Sequence, residues 1–185
     1  MTLALVVAAV LVGWTIWTFN RLTHLHQLAA NAWADIDVQL KRRHDLIPQL
    51  VAVVKGHAGY ERDTLEAVVE ARNRALEASG PAAKSAAEAP VAAGVQRLLA
   101  IAEAYPDLRA MQSFRDLQKG LSEVEDHLQN SRRYYNAVVR DLNTKIAQFP
   151  SNLVAHGAGF EPRQFFGLEH ESERAVPNVS VERTP

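Results

Sequence analysis

The chain has no cysteine among its 185 residues, which excludes disulfides, thiolate nucleophiles and zinc–thiolate sites together. Glycine (9) and proline (8) are sparse and clustered. No alternating apolar–polar run is bounded by turn residues, so strands are not expected. Neither sign of charge dominates: 20 Lys+Arg stand against 21 Asp+Glu. A basic field of the kind that binds nucleic acid is therefore missing, and no nucleic-acid partner is expected. Charge of either sign is also missing from the first twenty positions, "MTLALVVAAVLVGWTIWTFN".

From Leu3 to Phe19 only Gly13, Thr15 and Thr18 interrupt the apolar run. A helix over 2–21 would rise about 30 Å, the thickness of a bilayer's hydrocarbon core. No basic n-region precedes the run. Its end, Trp14 to Phe19, is bulky where a cleavage site wants small residues. The reading is a retained transmembrane anchor over 1–20 in contact with membrane lipid. Leu3, Leu5 and Val10 face acyl chains, and Trp14, Trp17 and Phe19 form an interfacial belt. Arg21 follows at once, with Lys41, Arg42 and Arg43 further on, so the positive-inside bias expects the N-terminus outside and the body in the cytoplasm.

Behind the anchor, Leu22, Leu25, Ala29, Ala32 or Trp33, Ile36, Leu40, Ile47, Leu50, Val51 and Val54 step at helical spacing. Pro48 predicts either a kink or a new helix with Asp45 as its N-cap. Gly56 and Gly59 predict a turn, and a second helix follows over 61–78. "SGPAAKSAAEAP" (79–90) reads as a break, with Pro90 starting a third helix that stops at "YPDL". The last long helix has Phe114, Leu117, Leu121, Val124, Leu128, Ser131, Tyr135, Val138 and Leu142 in unbroken three–four steps, a coiled-coil-like seam that Pro150 ends. The expected fold is all-α: an N-terminal transmembrane helix, then an elongated antiparallel bundle over 21–149, of three long arms or four helices. Residues 150–167 are expected to form an apolar post-helix segment; together with Phe149 just before it, Leu153, Val154, Phe160, Phe165 and Phe166 lie outside regular helix and pack on the bundle tip. Residues 168–185 read as a disordered tail.

The sequence offers no catalytic, cofactor-binding or metal-binding constellation, and no enzyme is expected. None of the seven histidines has a glutamate three positions before it, so the di-iron motif of helical bundles is missing. His170-Glu171 lacks the second histidine of a zincin. "GLSEV" (120–124) fails the nucleophile-elbow pattern. His24 and His26 point to different faces, and Glu123 with His127 reads as a helix-surface pair. The remaining candidates are contacts with a protein partner or lipid: Lys41, Arg42, Arg43, Arg132 and Arg133 as cations, and Phe160, Phe165 and Phe166 as apolar groups.

"NAWADIDVQLKRRHDLIPQLVAVVKGHAGYERDTLEAVVEARNRA" (31–75), "YPDLRAMQSFRDLQKGLSEVEDHLQNSRRYYNAVVRDLNTKIAQFPSNLVA" (105–155) and "GFEPRQFF" (159–166) resemble the LemA family of bacterial and archaeal membrane proteins. The resemblance covers nearly the whole chain in order. It implies a single-pass membrane protein with a long antiparallel helical body, N-terminus outside, and no established activity, cofactor or substrate. The expected role is a scaffold or interaction protein at the cytoplasmic membrane, with an unidentified protein partner or a homo-oligomer. Alternatives are a membrane-shaping oligomer and an accessory of an envelope quality-control protease.

Overall fold

The computed structural model describes residues 1–56 and 62–167; the turn expected at Gly59 and the tail expected beyond 167 lie outside them. The described residues form six helices and no strand: α1 (Thr2–Lys55), α2 (Arg62–Glu77), α3 (Pro81–Glu103), α4 (Pro106–Ala110), α5 (Gln112–Ala147) and α6 (Ser151–Gly157).

Helix α1 is a single 54-residue element with Pro48 inside it, about 80 Å long. A fresh helix capped by Asp45 does not form. Asp45 lies in mid-helix, where its carboxylate accepts from Lys41 Nζ at 2.7 Å. Pro48 has no N–H to give the carbonyl of His44. That acceptor is served from another helix: Arg72 Nε of α2 donates to His44 O at 2.8 Å.

The expected break at 79–90 shrinks to the residues around Gly80, whose φ of +83° suits glycine alone. Helix α3 starts at Pro81 rather than Pro90. A proline in the first turn costs nothing there, and the alanine-rich sequence that follows favours helix. Pro90 sits inside α3. Both it and Ala86, whose carbonyl it leaves without an amide partner, are exposed, so water can serve that group.

α2 and α3 form a hairpin. Arg72 of α2 meets His44, and Lys84 near the start of α3 bonds Asp37. Leu98 and Ala102 share a core with Leu108 of α4 and Phe114 of α5. The distal half, the end farther from the N-terminus, is thus four helices running up, down, up and down, built on Ile47, Leu50, Val54, Leu65, Val68, Val91 and Leu121. The hairpin brings backbones close at Gly94, where an added Cβ would lie 2.6 Å from Val68 Cγ2.

The proximal half has a different construction. Here α1 and α5 pack antiparallel through Leu22, Leu25, Ala29, Ile36 and Leu40 against Leu128, Tyr135, Val138, Val139, Leu142 and Ile146. No hairpin covers their groove. It is covered by α6, which buries Ser151 and Ala155, and by the extended residues 159–167. Leu153 and Val154, expected outside regular structure, belong to α6. Phe149 and Leu153, expected to be buried, are exposed.

Candidate functional site

Three regions of the rod bear on function: a bare helix, the strap beside it, and a charged layer at mid-length. Residues 1–13 are exposed, Leu3, Leu5 and Val10 stand clear of the body, and Trp17 is exposed at its edge beside Lys145. Thr18 is the first buried position, followed by Leu22 and Leu25. α1 therefore holds one stretch long and apolar enough to cross a membrane, near the N-terminus. Apolar side chains left uncovered at this density mark a surface made for lipid or protein.

The strap begins where the bare segment ends. Phe160 stacks edge-on against Phe19 at 5.9 Å and lies 6.1 Å from His26. From there the chain runs back along α5, fixed by two asparagines. Asn143 donates to Arg163 O at 2.8 Å and accepts from Arg163 N–H at 2.9 Å. Asn136 does the same for Phe166, at 2.8 Å and 3.0 Å. The spacing follows from geometry. Seven residues of helix and three of extended chain both cover about 10 Å, so asparagines one heptad apart meet backbone groups three residues apart. Tyr135 Oη adds a bond to Gln164 O at 2.8 Å. Its phenol pKa is raised by burial, against a smaller opposing effect of Arg163. Phe166 and Tyr135 close on Trp33, with ring centroids 5.5 and 5.4 Å away, and Lys84 of α3 lies over the same indole. Trp33 is thus where strap and hairpin meet.

Arg163 also reaches His26 Nε2 at 3.0 Å. A guanidinium only donates, so Nε2 accepts and His26 is neutral with its proton on Nδ1. Burial and then the charge of Arg163 hold the His26 pKa below the ordinary histidine value.

At mid-length, where the two apolar cores meet, the stripe of α1 carries Arg43 and His44 between Leu40 and Ile47. Both are buried, as is Glu88 of α3. His44 Nε2–H donates to Glu88 Oε1 at 2.7 Å, and Arg43 lies 3.5 Å from Glu88 and 3.6 Å from Glu125. These groups satisfy one another. Burying a charge is tolerable only when it is paired in this way.

That layer corrects one expectation: Arg43 is not a free surface cation but is buried, its charge engaged by Glu88 and Glu125. Phe166 is corrected likewise, because the Asn136 clamp pulls it into the core. Lys41 and Arg42 stay exposed, paired with Asp45 and Glu123. Arg132 and Arg133 are exposed on α5, and Arg133 donates to Asn130. Arg132 borders a groove of about 460 Å³ between α3 and α5, together with Glu88, Glu125 and Gly167. Phe160 and Phe165 are half-buried. Of the eight contact candidates, the structure groups Phe160, Phe165 and Phe166 on the strap and scatters the cations along the rod.

Among the described residues, no three or more His, Asp or Glu are placed to hold a metal ion. An open groove of about 810 Å³ lies at the distal end between Val51, Lys55, Leu65 and Val69. Its two acids, Glu66 and Glu70, are paired with Arg62 and Arg74.

A family model described as the LemA family matches residues 32–181. Magnetosome protein MamQ 1 and Magnetosome protein MamQ 2 of Paramagnetospirillum magneticum are each 23% identical over 159 residues, covering 72% of this chain and 58% of the relative. Magnetosome protein MamQ of Magnetospirillum gryphiswaldense is 20% identical over 195 residues, covering 90% of this chain and 72% of the relative. The chain thus spans 58% of the length of the first two relatives.

Proposed function

This chain belongs to the LemA family, and from that premise we propose that it is a single-pass, membrane-tethered scaffold without catalytic activity. One observation carries the reading: the bare apolar segment and the core of the body are the same uninterrupted helix, α1. A helix that leaves lipid and becomes the spine of a bundle transmits position and orientation rigidly, as a scaffold requires. Hydrocarbon accepts such a segment because, beyond the N–H groups of the first turn, its backbone groups are bonded within the helix. Under this reading the membrane is the cytoplasmic one, with the N-terminus outside. Arg21 and Lys145 support that orientation. Lys145 Nζ sits 5.6 Å from the centroid of the Trp17 ring, so two cations lie on the body side of the span, where anionic lipid attracts them.

The test is proximity labelling in cells from an enzyme fused to the C-terminus, comparing the native chain with Lys41→Glu/Arg42→Glu/Arg132→Glu/Arg133→Glu. A cytoplasmic set of protein neighbours that the four reversals deplete supports the scaffold. A neighbour set unchanged by them removes these cations from partner contact, and an external neighbour set reverses the orientation.

A further inference from the structure

We propose that the α5–α6 corner is a second membrane contact, in which Phe149 and Leu153 enter the acyl boundary of the bilayer that α1 spans. The inference rests on the anchoring of α1 proposed above and adds the surface that sets how the rod stands on the membrane.

Height along the rod is the first ground. α5 runs antiparallel to α1 and ends at the level of Trp17: Gln148, Lys145, Arg21 and Trp17 line one shallow cavity. The chain after Gln148 therefore sits where α1 emerges from its bare segment. Exposure is the second. Phe149 is 75% exposed and Leu153 65%, in a corner that turns Ser151 and Ala155 inward, buried against the bundle. Leu153 lies on the face of α6 opposite those two, since it is two helical positions from each. Continuity is the third. Trp17 and Phe19, themselves 60% and 45% exposed, stand at the same level on α1. The four side chains make an apolar collar with Arg21 and Lys145 beside it, the sequence of acyl, aromatic and cationic groups found at a membrane interface.

A lipid surface fits this collar better than a protein groove does. The collar surrounds the exit point of the span, which a bilayer necessarily reaches and a soluble partner does not. One spanning helix leaves the rod free to rotate about its own axis. A second contact off that axis fixes which face turns to the membrane.

The native chain is free of cysteine, so single nitroxide labels report without interference. Full-length chains carrying Val10→Cys, Phe149→Cys, Leu153→Cys or the mid-rod control Gln129→Cys are reconstituted in phosphatidylcholine–phosphatidylglycerol vesicles. Each label is then probed with oxygen, which concentrates in lipid, and a nickel chelate, which stays in water. The expected result is a ratio of oxygen to nickel accessibility at 149 and 153 severalfold above that at 129, approaching the value at 10. Water-like labels at 149 and 153 beside a lipid-like label at 10 would overturn the second contact and leave the anchor standing. A water-like label at 10 would overturn the anchor and the collar with it. Phe149→Ser/Leu153→Ser, at positions that contribute nothing to the core, should rotate the rod and change the accessibility at 134, an exposed site on α5, through Tyr134→Cys. An unchanged value there would count against the orienting role.

Discussion

Single side chains decide whether this rod holds together where its backbone departs from rule. Pro48 leaves the carbonyl of His44 without its helical donor, and Arg72 supplies one from α2. Arg72→Met should lower stability by about 1–3 kcal/mol, the cost of an unsatisfied acceptor at a partly buried site. Pro48→Ala restores the missing N–H, so in its background the loss from Arg72→Met should shrink. A double-mutant cycle by chemical denaturation of the full chain measures this, and additive losses would separate the two residues. Asn136 makes a comparable demand. Its two bonds hold the N–H and C=O of Phe166, so Asn136→Ala should cost about 1–3 kcal/mol and abolish amide protection at Phe166. Retained protection would mean that Trp33 and Tyr135 suffice to hold the strap.

His26 gives the strap a pH dependence whose sign follows from its lowered pKa. The docked strap favours the neutral ring. Its stability is therefore complete above the ordinary histidine value of about 6.5 and is lost as pH falls from there through the depressed value. Amide protection at Arg163 and Phe166, corrected for intrinsic exchange, should fall over that window. It should become flat in His26→Gln, which can still accept from Arg163 without titrating.

Among the elements, the long helices and α2, expected over 61–78 and found over Arg62–Glu77, are legible in the sequence, whereas α4 and α6 are not. Leu22 to Val54 and Phe114 to Leu142 repeat at three–four spacing over many turns, a signal that survives one polar intrusion. The start of α3 was misplaced because Pro90 reads as a beginning when taken alone; its exposure, which lets water serve the Ala86 carbonyl, is a tertiary fact. The same misplacement hid Glu88 as the partner of Arg43 and His44. The sequence did hold a clue, since two charged or titratable groups interrupt the apolar stripe between Leu40 and Ile47. The asparagine clamps were invisible for another reason. Their partners are backbone groups, and no side-chain pattern announces which carbonyl will arrive. The α2–α3 hairpin depends on small residues. Gly94→Ala would place a methyl 2.6 Å from Val68 Cγ2, and a β-branched side chain gives way poorly. A loss of about 1–3 kcal/mol from overpacking should exceed the gain of about 1 kcal/mol in helix propensity. Thermal melting of Gly94→Ala and of Gly94→Ala/Val68→Ala checks this, with the second change expected to relieve the first. Equal melting of Gly94→Ala and the native chain would show that the hairpin can open slightly without cost.

At the scale of the whole molecule, the two halves of the rod do different work. The distal half is a four-helix unit with its own core, sealed from the proximal core by the layer of Arg43, His44 and Glu88. The proximal half is two helices and a strap, and it is continuous with the bare apolar segment of α1. A tilt of the bare segment therefore reaches the distal unit through α1 and α5, with the strap keeping them in register and meeting the hairpin at Trp33.

The most direct measurement is alkaline carbonate extraction of cell membranes carrying the native chain, followed by intact-mass determination of what remains in the pellet. The expected result is retention of the chain with Leu3 to Phe19 still attached. Release into the carbonate supernatant, or a recovered mass that begins beyond Phe19, would contradict a rod tethered by its own first helix.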